Sequence, residues 1–126
     1  MSMIDQLKHA EAVRLDRDQL ETLFVQMGPQ RADKEINQSL EDLAVALARV
    51  QKANQRGEIE DMQAGVRDLI RVAQKVGMVT LARVARDVLD LSKGTDGVAF
   101  AACLARLERI GEGSLIAVWD LQDMTL

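Results

Sequence analysis

The sequence predicts an all-α fold: an antiparallel four-helix bundle with short additional helices at the two termini. Three observations predict it. Leu, Ala, Arg, Gln, Glu and Met dominate the chain, and these residues lose little conformational freedom in a helix. Aromatic residues are scarce, two Phe and one Trp with no Tyr, which is poor material for the half-buried surface of a sheet. Apolar residues recur in steps of three and four between glycine breaks, and nowhere alternate with period two for long. The single proline leaves room for long uninterrupted helices.

The breaks are Gly28-Pro29, Gly57, Gly77, Gly94-Thr95-Asp96-Gly97 and Gly111-Glu112-Gly113. Before the first of them, residues 3–14 predict a short extra helix with Met3, Leu7 and Ala10 on one side. The next helix starts at Asp16, with Gln19 three residues on as a capping box and Leu15 and Leu20 placed as a hydrophobic staple. Leu20, Leu23, Phe24 and Met27 form its buried face, and Gly28-Pro29 ends it. The segment 31–55 carries Ile36, Leu40, Leu43, Leu47 and Val50, with Ala44 and Ala48 widening the stripe. The segment 58–76 carries Ile59, Met62, Val66, Leu69, Ala73 and Val76. The segment 79–92 carries Leu81, Val84, Ala85, Val88 and Leu89. The segment 97–110 carries Phe100, Cys103, Leu104, Leu107 and Ile110. Beyond the last glycine pair, Leu115, Ile116 and Trp119 suggest a final short helix. Short connections between successive helices imply antiparallel neighbours. The expected organisation is one domain over 1–126, with an extra helix over 1–14, the bundle over 15–110 and a C-terminal segment over 111–126.

The composition excludes several classes of function. A chain of 126 residues, 48% apolar and 29% charged, is one ordinary globular domain with enough core to fold without staples. A net charge of −4 and the lack of base-stacking aromatics argue against nucleic acid as a partner. One cysteine allows no intramolecular disulfide and no cysteine-based zinc site, so a reducing cytoplasm is the expected compartment. The first seventeen residues carry charges throughout and do not read as a signal peptide; no stretch reaches membrane-spanning length, and no membrane partner is expected.

The inventory of reactive groups is equally thin. His9 is the only histidine, so a Ser–His or Cys–His pair would have to use it, and a two-histidine metal site is impossible. Cys103 falls on an apolar stripe, where a free thiol acts as a small hydrophobe. The carboxylates Glu58, Glu60, Asp61, Asp87, Asp90, Asp120 and Asp123 read as solvated faces, and none forms a Glu-x-x-His pair. Gly111-Glu112-Gly113 lacks the lysine and the preceding strand of a phosphate loop. The chain is therefore expected to be no enzyme and to need no metal or cofactor. One charge pattern remains: Arg67, Arg71 and Lys75, spaced four apart, make a basic ridge that Arg83 and Arg86 extend onto the next helix. Read blandly it is a solvated face with Asp68 and Arg71 paired; read functionally it is a docking site for an acidic partner.

Around this ridge the sequence resembles a family. Gly77 after Val76 is placed like the glycine that follows the phosphorylated helix of a histidine-containing phosphotransfer (HPt) domain. Leu69 matches the leucine of the family's His-x-Leu-Lys-Gly motif, Ala73 a small position, and Met62 and Val66 apolar ones. Gly57-Glu58 resembles the Gly-Asp at the start of that helix. Leu81, Ala85 and Val88 follow the spacing of the next helix, and Leu15-Asp16 through Leu20 and Leu23 that of the first. The resemblance runs from Leu15 to about Ile110. It implies a four-helix bundle acting in two-component phosphorelay signalling, with a receiver domain or a histidine kinase as partner. The chain departs from the motif at its centre. Arg67 stands at the phosphorylated position, Ile70 at the lysine and Arg71 at the glycine. A guanidinium stays protonated and is no phosphoryl carrier, and Arg71 fills the space that glycine leaves for the receiver. The resemblance thus implies a degenerate member that binds a receiver or kinase without relaying phosphate, with Arg67, Arg71, Lys75 and Arg83 as the binding residues. The alternatives are a self-associating bundle or homodimer using Leu115, Ile116, Val118 and Trp119, and a phosphotransferase using His9.

Overall fold

A computed structural model describes residues 16–124. These residues fold into five α-helices with no β-strand among them: α1 (Arg17–Met27), α2 (Pro29–Gln55), α3 (Ile59–Lys75), α4 (Val79–Ser92) and α5 (Gly97–Met124). The extra helix expected over 3–14, and with it Leu15 of the expected staple, lie outside the described residues.

The helices stop where the backbone has a reason to turn. Gly57 and Gly77 take positive φ, 69° and 72°, and each sits just past a helix end. The amide after each glycine reaches back five residues: Glu58 N–H donates to the Ala53 carbonyl at 2.9 Å, and Met78 N–H to the Ala73 carbonyl at 2.8 Å. Both are Schellman turns, which satisfy carbonyls that a helix end leaves open. At the start of α5, Asp96 caps the helix by accepting from Ala99 N–H at 3.0 Å. Pro29 occupies the first turn of α2, where a missing N–H costs nothing.

Each helix packs on its successor in sequence, and α5 returns to α2. Contacts between α2 and α3 run in opposite directions along the two helices: Arg49 meets Asp61 and Asp68, while Glu35, earlier in α2, meets Lys75, later in α3. α3 and α4 are antiparallel by the same test, since the Gln63 side chain near the start of α3 donates to Ser92 Oγ at the end of α4. The stripes meet in one core that includes Ile36, Leu43, Val50, Met62, Leu69, Leu81, Val84 and Leu107.

Several details differ from the sequence expectation. The expected break at 111–113 is absent, and α5 runs through it to Met124, so the expected boundary between 110 and 111 falls inside a helix and, among the described residues, no separate C-terminal helix follows. A glycine in a helix costs about 1 kcal/mol relative to alanine, which packing can outweigh. Gly111 is buried against Leu47, whose Cδ2 lies 2.9 Å from where a Cβ would be. A small residue is needed there for α5 to close on α2. Ala44 and Ala48 do not widen the α2 stripe but face outward; Ala32, Ala46 and Ala53 are the buried alanines of that helix. Their side of α2 also carries the clamp to α3 and the contact with Gly65, which draws the buried arc toward α3. Ile59, expected on the α3 stripe, is 58% exposed because it opens the helix at the edge of the turn.

Candidate functional site

The basic ridge is built on α3. Four residues advance an α-helix by one turn plus about 40°, so a series at i, i+4 and i+8 winds across the surface rather than running straight. Here the winding carries Lys75 away from the other two cations. Arg67 lies mid-helix and exposed. Arg71, one turn on, keeps 75% of its side chain exposed and donates to Asp68 Oδ1 at 3.1 Å. Lys75 has come round to α2, where its ammonium pairs with Glu35. Arg83 stands exposed on α4. Among the described residues, neither Arg67 nor Arg83 makes an ion pair. The structure thus brings Arg67 and Arg71 together, gives Lys75 a partner within the fold, and leaves Arg83 on the neighbouring helix.

Beside the ridge, α3 and α4 leave an open groove of about 360 Å³. Ala73, Met78 and Ala82 form its apolar part, and Gln74, Arg86 and Gln19 bring polar side chains to it. The small residues at 73 and 82 keep it open. Arg86, which the sequence placed at the end of the ridge, is the α4 cation that borders it.

Sequence reasoning missed the polar clamp behind the ridge. Arg49 of α2 donates through Nε to Asp61 Oδ1 at 3.0 Å and through Nη1 to Asp68 Oδ2 at 3.3 Å. Asp68 therefore serves Arg49 and Arg71 together. The hydrogen bond from Arg49 holds the Asp61 carboxyl below its ordinary pKa, and the same bond raises the guanidinium. A signal was present: Asp61 and Asp68 are seven residues apart, two turns, and so share the α3 face that meets α2. The capping box at Asp16 is also only half as expected. Asp16 Oδ1 accepts from Gln19 N–H at 3.1 Å, but the Gln19 side chain turns away and donates to the carbonyls of Gln74 and Lys75.

The other candidate groups are quiet. Cys103 is half-buried and packs against the core, and burial, with the Asp87 charge, pushes its thiol above the ordinary pKa. That disfavours the thiolate, the reactive form. Glu58, Glu60, Asp87, Asp90 and Asp120 are exposed. Among the described residues, no three His, Cys, Asp or Glu side chains converge as a metal site would need, and no helix is long and apolar enough to cross a membrane. His9 lies outside the described residues, as do the side chains of Trp119 and Asp123. Val118 is buried, Leu115 packs against the core, and Ile116 is 56% exposed.

Compared with protein-family models, with curated proteins and with solved structures, the chain finds no match in any of the three.

Proposed function

We propose that α2 to α5 form an antiparallel four-helix bundle of HPt type, and that the chain docks on a receiver domain or histidine kinase through α3 and α4 without carrying a phosphoryl group. The observation that carries this reading is the exposure of Arg67 at the middle of α3, with Arg71 one turn on. They occupy the positions at which the HPt motif has its phosphorylated histidine and its glycine. A receiver presents an acidic pocket to that face, so exposed guanidinium groups there meet complementary charge. Lys75 contributes less than its place in the sequence suggests, because Glu35 already neutralises it. Arg67 bears most of the attraction, with Arg71, whose partner Asp68 is shared with Arg49, beside it and Arg83 extending it onto α4. Without an imidazole at position 67, the complex sequesters its partner or competes with its phosphodonor.

Charge reversal tests the reading. Titrating the Arg67→Glu/Arg71→Glu double variant against a receiver that binds the wild type should lower affinity by about tenfold or more. Glu112→Lys, on an exposed position of α5, should leave it unchanged. Equal affinities for the wild type and the double variant would remove the α3 face from the account.

One observation favours a second reading, self-association. Val98 and Ile116 of α5 are 84% and 56% exposed. They are eighteen residues apart, five full turns, and so lie on one face, with the exposed Ala105 between them. A sedimentation coefficient that rises with concentration, and stops rising in Ile116→Glu, would support it; a concentration-independent monomer would end it.

A further inference from the structure

The attachment of α1 differs in kind from that of the other helices. Among the described residues its helix-to-helix packing is with α2, Leu20 is its one buried side chain, and Phe24 packs at the edge of the core. A helix of this length is marginal on its own in water. Two polar ties hold its start to the end of α3. Asp16 N–H donates to the Gly77 carbonyl at 2.7 Å, and Gln19 Nε2 donates to the carbonyls of Gln74 and Lys75. Gly77 permits this approach, because a Cβ there would meet the Asp16 carbonyl oxygen at 3.0 Å. At its other end α1 joins α2 through Gly28 alone, at φ 82°, with open space around it.

We infer that α1 is a latch: it opens from the rest of the fold as one unit, turning on Gly28, and Gln19 is the catch that holds it closed. Opening frees the carbonyls of Gln74 and Lys75, removes the Gln19 wall of the groove between α3 and α4, and bares the α2 surface under Leu20. The device is independent of the receiver reading. If that reading also holds, a partner entering the groove competes with Gln19, and α1 becomes the element that regulates access.

Native-state hydrogen exchange on the full chain, in a series of sub-denaturing urea concentrations, tests the latch. In the wild type, the amides of Leu20 to Met27 should share one opening with weak urea dependence, well below the protection of Leu69 and Val84. In Gln19→Ala that shared opening should become about tenfold more frequent, as expected for two lost hydrogen bonds, with α2, α3 and α4 unchanged. Graded exchange along α1 would mean fraying and overturn the inference. So would α1 amides that exchange only in global unfolding, or a Gln19→Ala effect spread evenly over all helices.

Discussion

Gly65 and Gly111 both stand inside helices, both lie under a neighbour's side chain, and alanine at each should have a different outcome. At Gly65 the added Cβ meets Val50 Cγ2 at 2.9 Å, with the Val50 nitrogen and the Ala46 carbonyl just behind it. Valine is stiff at χ1 and backbone does not yield, so α2 and α3 must separate. Even after the gain in helix propensity, Gly65→Ala should cost about 1–2 kcal/mol, read as a lower urea midpoint. At Gly111 the obstacle is the far end of the Leu47 side chain, which can rotate away. Gly111→Ala should fall within about 1 kcal/mol of the wild type, the propensity gain offsetting the repacking. The clamp on α2 gives a pH prediction. The Asp61 pKa is depressed in the folded state, so the contribution of its charged form is present above the ordinary carboxylate range and is lost as pH falls through the folded value. Carboxyl chemical shifts followed through an acid titration should place Asp61 below the ordinary Asp value in the wild type and return it to that value in Arg49→Ala.

At the level of elements, the continuity of α5 is the feature most open to test. If the helix ended at the Gly111-Glu112-Gly113 break, proline at 113 would be harmless. In a helix that continues to Met124, Gly113→Pro removes a backbone hydrogen bond and clashes with the preceding turn, at a cost of about 3 kcal/mol or more in chemical denaturation. This is also where the limit of sequence reading shows. The stripes Ile36–Leu40–Leu43–Leu47–Val50 and Met62–Val66–Leu69–Ala73 were legible because local period alone decides which side of a helix is buried. The turns at Gly57 and Gly77 were legible because a left-handed residue after a helix favours glycine. Gly111 reads as a stop for the same reason, since only Leu47, sixty-four positions away, shows that it is a packing contact. Ala44 and Ala48 were misplaced because alanine suits either side of a helix, and period weighs little for so small a side chain. The ridge was legible as a series of charges but not as a site: Glu35, forty residues before Lys75, removes one of its members.

For the molecule as a whole, the proposed reading is a docking module whose α3 face has no histidine to carry a phosphoryl group. Mixing it with a phosphorylated receiver should therefore leave no acid-labile phosphoryl group on the chain, as read by intact-mass spectrometry at neutral and acidic pH. An adduct on His9 would instead favour phosphotransfer from the N-terminal segment. The acidic net charge of −4 is compatible with such docking, because the partner meets the local field of Arg67 and Arg71 and not the average of the surface. Salt should weaken the complex accordingly.

A map of the contact face decides whether the chain docks through α3 and α4. Isotope-labelled protein is titrated with a panel of receiver domains, and backbone amide shifts are followed by NMR at low and moderate salt. The account predicts salt-sensitive binding to one or a few receivers, with the largest shifts around Arg67, Arg71 and Arg83 on α3 and α4. Silence across the panel, or shifts confined to the Val98–Ile116 face of α5, would contradict it.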